Sequence, residues 1–258
     1  LHLEVSAEGA RIEVGGKLQR EGEKLDVDAT VEIEKLPLGR GRVYLPDLGW
    51  TDFGGELDAK LHYVQVTGAK QTADGTVALR GLRVGVPSLQ DPAFALGSLD
   101  VEIEQLDLLG RKLALGDVSL DGLRVYFDPA DPAKLPLLPK GLPPAGESPP
   151  EAPSDAPPFA WSVGRFGISK SELVPLGGGL PPFGIEGTLE SLASGATAPA
   201  TLDLKLAQGD GSVGLAGKLL VAPPGFRGAL TLDSLSLPPL LQAAAGEAAA
   251  LLGAAVAK

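Results

Sequence analysis

The chain has 258 residues and a formal net charge of −11. That length suffices for a buried core in one or two domains, and the acidic balance argues against nucleic acid or an anionic membrane surface, which call for a basic face. No cysteine occurs, so disulfides, thiol catalysis and thiolate metal sites are excluded. The apolar content is aliphatic: 44% of residues are hydrophobic but only 5% aromatic, beside 35 Gly and 23 Pro. Methionine is absent even at position 1, so the chain is expected to be a fragment or a processed form. Neither a signal peptide nor an apolar run of the roughly 18 residues that a spanning helix needs is visible.

Period-two alternation dominates from the first residue. Leu1, Leu3 and Val5 alternate with polar neighbours, as do Ile12 and Val14, Val31 and Ile33, and Leu99, Val101 and Ile103. Alternation of this kind predicts strands with aliphatics on one face and carboxylates on the other. Turns rich in Gly, Asp and Pro separate the runs, for example Ala73-Asp74-Gly75 and Gly209-Asp210-Gly211. In Gly75–Val86 and in Gly116–Phe127 the alternation slips by one residue at a glycine. A β-bulge at Gly81 and at Gly122 would keep Val77, Leu79, Val118 and Leu120 on the same face as the aliphatics that follow. Residues 1–128 are thus expected to form the first part of a sheet. Residues 129–158, crowded with proline, read as a loop or linker. Strand patterning resumes over 159–237, and the alanine-rich residues 238–258 predict a short helical tail opened by Pro238-Pro239.

The chain also repeats itself. Leu1–Leu18 aligns without a gap on Leu202–Leu219, with Leu1, Leu3, Gly16, Lys17 and Leu18 identical to Leu202, Leu204, Gly217, Lys218 and Leu219. After a two-residue deletion, Ala29–Leu38 continues the match in Gly228–Leu237. What repeats is aliphatic alternation and glycine placement, which points to a sheet of recurring hairpins.

Reactive constellations are scarce. His2 and His62 stand alone, and His62 lies within a strand-like run. The VGGKL and LAGKL segments lack the first Gly and the Ser or Thr of a phosphate-binding loop: Arg11 and Ser212 stand at the former position, Leu18 and Leu219 at the latter. Asp26, Asp28, Glu32, Glu34, Glu102 and Glu104 sit where alternation predicts a solvated face, where they favour solubility over acid–base chemistry. No catalytic residue, metal ligand or cofactor site is predicted. The aliphatic face itself remains. It is either the inside of a dry β-sandwich, an interaction or structural module of adhesin-like or outer-membrane-assembly type, or the wall of an open trough that contacts hydrocarbon.

Several stretches resemble the AsmA-like proteins of bacterial envelopes, the group that includes AsmA, TamB and YhdP. They are Gly116–Phe127 with the low-complexity stretch after it, Trp161–Val174, Phe183–Ser194 and Thr201–Leu240. The resemblance implies an all-β fold: a long twisted antiparallel sheet curled into a groove. It also implies a periplasmic body tethered to the inner membrane through an anchor outside this sequence, and a non-enzymatic part in lipid transport or envelope assembly. Phospholipid acyl chains are the implied partner, with envelope proteins as further partners. The groove-lining positions carried over are Leu3, Val5, Ile12, Val14, Val31, Ile33, Val77, Leu79, Leu99, Val101, Ile103, Val118, Leu120, Leu202, Leu204, Leu206, Val213, Leu215, Leu230 and Leu232.

Overall fold

A computed structural model describes residues 1–7, 9–44, 48–128, 158–177, 181–221 and 224–234. Strands form wherever aliphatic and polar residues alternate: β1 (His2–Ala7), β2 (Ala10–Glu21), β3 (Lys24–Pro37), β4 (Asp52–Val66), β5 (Lys70–Gly85), β6 (Phe94–Asp107), β7 (Lys112–Asp121), β8 (Arg124–Phe127), β9 (Ala160–Pro175), β10 (Phe183–Ala193), β11 (Ala200–Gln208), β12 (Gly211–Leu220) and β13 (Gly225–Asp233). A 3₁₀ helix, Leu38–Tyr44, follows β3. The expected helical tail, residues 238–258, and nearly all of the proline-rich stretch lie outside the described residues.

All thirteen strands belong to one curled sheet, and its strands follow chain order from β1 to β13. Each hairpin pairs antiparallel with the next. The expected antiparallel sheet has one parallel seam. β8 prolongs the lane of β7, and both pair parallel with β9. The physical reason is the connection: Phe127 pairs with Pro175 and Lys112 with Ala160, so the chain re-enters at the end where β7 began. A short turn enforces an antiparallel return, whereas the long stretch between Phe127 and Ala160 permits a parallel one.

At about 4.8 Å between neighbours, the lanes from β1 to β13 make a sheet about 53 Å wide, and a sixteen-residue strand such as β5 runs about 50 Å. Among the described residues, strands contact their neighbours within the sheet, and no second sheet packs on either face. The buried hydrophobic residues are accordingly few and mostly small: Ala10, Ala59, Val84, Val86, Ala93, Leu96, Ala114, Val118 and Ala200. The most concentrated group, Val84, Val86, Ala93 and Leu96, lies where β5 ends and β6 begins.

Candidate functional site

Cross-strand partners share a face of a sheet, so the register assigns every side chain. One row runs Val5–Ile12–Ile33–Ala59–Val77–Val101–Val118 from β1 to β7. It continues Phe166–Leu189–Leu202–Gly217–Gly228 to β13. A second row runs Leu36–Leu57–Leu79–Leu99–Leu120–Ile168–Gly187–Leu204–Leu215–Leu230. Leu3–Val14–Val31–Leu61–Gly75–Ile103–Leu115–Val163 forms a third. Ile185–Leu206–Val213–Leu232 forms a fourth. Along β10, Ile185, Gly187 and Leu189 alternate without a slip against β11, which ties these rows to one face. All the positions predicted to line a groove therefore lie together on that face.

These side chains are not packed as a core. Of the predicted positions only Val118 is buried; the middle lanes are half-buried, and toward the edges Leu3, Val5, Leu230 and Leu232 are exposed. Where a side chain is missing, a neighbour fills the gap. A Cβ built on Gly217 would lie 2.8 Å from Cζ of Phe226, so that ring covers the glycine pair Gly217 and Gly228, an aromatic substituting for the absent side chains.

Keeping the aliphatics on one face requires breaks in alternation, and glycines supply them. Between β4 and β5 the register shifts so that Gly81 and Leu82 stand against Gly55; Gly81 has φ 57°. This is a one-residue bulge. Gly122 behaves differently. It is also left-handed, at φ 67°, and separates β7 from β8, yet β6 and β9 keep one register along both strands. The extra residue expected at Gly122 is corrected to a crease that neighbouring lanes share. In β9 the crease passes through Lys170, at φ 46°, and β10 absorbs it through a register shift between Ile185 and Gly187. Beyond the crease, Phe53–Val84–Phe94–Val125–Leu173–Phe183 extends the aliphatic face.

The opposite face carries the charges. Glu4, Glu13, Glu32, Lys60, Thr76 and Glu102 form one cross-strand row. Cations offset the like charges: Arg11 binds Glu4 at 2.9 Å and also Glu13, and Lys60 pairs with Glu32. The hydrogen bond and charge of Lys60 lower the Glu32 pKa. His62 Nε2 lies 3.0 Å from Asp28 and Nδ1 lies 3.4 Å from Asp74, and the bond to Asp28 chiefly raises the imidazole pKa above its usual value. Arg80–Asp100, Arg83–Asp52, Arg165–Asp117 and Lys170–Asp121 pairs continue the pattern. The bond from the Ser169 hydroxyl, more than Lys170, lowers the Asp121 pKa. Among the described residues, no three His, Asp or Glu side chains converge as a metal site.

Two polar features interrupt the aliphatic face. Ser171 is buried in β9, where its hydroxyl accepts from the Leu123 amide at 3.2 Å and donates to the Ser169 carbonyl at 2.9 Å. Its hydrogen bonds are thus spent on the backbone. At the β4–β5 hairpin the aliphatic rows end on Tyr63, which donates to Gln65 at 2.8 Å and accepts from Gln71 at 2.9 Å. The sequence reading missed this rim, as well as Leu57, Ala59, Leu61, Phe166, Ile168, Ile185 and Leu189. Strict alternation in Phe183–Leu189 was a usable signal for β10; β9 hid its face by slipping at Gly164 and Lys170.

No family model, curated protein or solved structure matches this chain.

Proposed function

We propose that this chain is a non-enzymatic, lipid-binding segment of a periplasmic AsmA-like protein, whose aliphatic face holds phospholipid acyl chains for transport between membranes or for envelope assembly. The observation that carries the reading is a single-layered curled sheet with aliphatic rows that run across its lanes, half-exposed where a core would be buried. Removing hydrocarbon from water against such a wall contributes about 0.8 kcal/mol per CH₂ and needs no reactive group. A bilayer's hydrocarbon core is about 30 Å thick, so one acyl chain reaches about 15 Å, well within a lane of this sheet. The hydrogen-bonded rim of Tyr63, Gln65 and Gln71 suits the polar end of a lipid, whose headgroup prefers hydrogen-bonding neighbours to aliphatic ones.

The rival reading, a dry sandwich serving as an interaction module, needs a second sheet over these rows. The described residues form one sheet, which favours the open trough. A photo-crosslinking amino acid at Val101, on the aliphatic face, is expected to capture phospholipid in a bacterial envelope, whereas the same group at Glu102, on the charged face, captures none. Equal capture at both positions, or none at Val101, would sink the proposal.

A further inference from the structure

The repeat seen in the sequence is a repeat in three dimensions, and it shows what the last strand lacks. Leu3 pairs with Val14 and Val14 with Val31; at the matching places Leu204 pairs with Leu215 and Leu215 with Leu230. Gly16 faces Ala29 so closely that a built Cβ would lie 2.8 Å from the Ala29 Cα, and Gly217 faces Gly228 with the corresponding distance 2.6 Å. Lys35, near the end of β3, and Ser234, just after β13, are both left-handed, at φ 50° and 47°.

At Lys35 that conformation serves a neighbour. The β3–β4 register shifts between Ile33 and Leu36, and the Lys35 amide donates to Asp58 of β4 at 2.8 Å. β13 carries the same shape without such a neighbour among the described residues. Its side chains are exposed almost throughout, Leu230 at 64% and Leu232 at 61%, while their counterparts Val31 and Ile33 are half-buried. β13 is thus built like an interior strand yet stands at an edge among the described residues, and such edges recruit further strands.

We infer that β13 pairs antiparallel with β13 of a second copy of this chain, about a two-fold axis through Leu230 and normal to the sheet. This inference does not depend on the lipid reading. In that register Arg227 of each copy faces Asp233 of the other, and Leu232 lies against Gly228, which the Phe226 ring covers. Both charges lie on the charged face, and among the described residues Arg227 has no acidic partner. The two-fold keeps both aliphatic faces on one side, so the sheet doubles in width with its trough continuous.

The test is analytical ultracentrifugation of the full chain over a concentration series, with circular dichroism on the same samples. The wild type is expected to dimerise. Arg227→Asp sets four carboxylates face to face and should weaken the dimer about tenfold or more, and adding Asp233→Arg should restore it, since the swapped pair is again self-complementary. A monomeric wild type, an Arg227→Asp dimer of unchanged affinity, or failure of the folded double variant to recover the dimer would each overturn the inference.

Discussion

At the scale of single residues, the charged face is held by exposed ion pairs, each worth little alone, and those of His62 respond to pH near neutrality. Asp28, aided by Asp74, favours its protonated form in the folded chain and raises its pKa. A raised folded-state value stabilises the fold fully below the unfolded value near 6.5 and ceases to do so as pH rises through the folded value. An NMR titration is therefore expected to place the His62 midpoint above the ordinary histidine value, and Asp28→Asn should move it down. A midpoint at or below the ordinary value would show that the Asp28 contact is not maintained in solution. The sequence placed His62 in a strand but left its face open, because Val64 and Val66 share its parity. Its two acidic neighbours come from β3 and β5, and only the register brings them together.

At the scale of elements, the informative feature is the line of breaks that crosses the strands. Each strand of an apolar-faced sheet must keep its parity or lose its face, since a one-residue slip turns every side chain over. Gly81 resolves the conflict with one left-handed residue, and its surroundings are open: a built Cβ meets nothing within 4 Å. The cost of replacing it is therefore conformational. Gly81→Val should destabilise the protein by about 1–2 kcal/mol in chemical denaturation, and Gly81→Asn by much less, because asparagine tolerates that region. Equal losses for the two would place the cause elsewhere. The parity change from Leu79 to Leu82 made this break legible in the sequence. The break at Lys170 was not, because lysine carries no hint of a positive φ, and its conformation follows from the lanes beside it. Parallel pairing of β7 and β8 with β9 was equally hidden, since alternation reports which face a residue takes and not which way its neighbour runs.

At the scale of the whole molecule, hydrophobic content and sheet architecture agree on an unusual division of labour. Leu, Val and Ile line one face, yet the large aliphatics stay half-exposed and the few buried residues are mostly small. The sequence showed which residues share the face, because alternation and repeat are local properties. Whether that face is covered depends on long-range packing, and the single layer answers it for the described residues. An aliphatic wall left uncovered among the described residues favours an occupant, and the proposed hydrocarbon would fit it without directional contacts. Native mass spectrometry with solvent extraction, on protein purified without detergent from a bacterial host, tests this most directly. The account predicts co-purifying phospholipid, lost in folded Val101→Asp and Leu204→Asp variants and retained in Glu102→Ala. An apo mass with no lipid in the extract would contradict it.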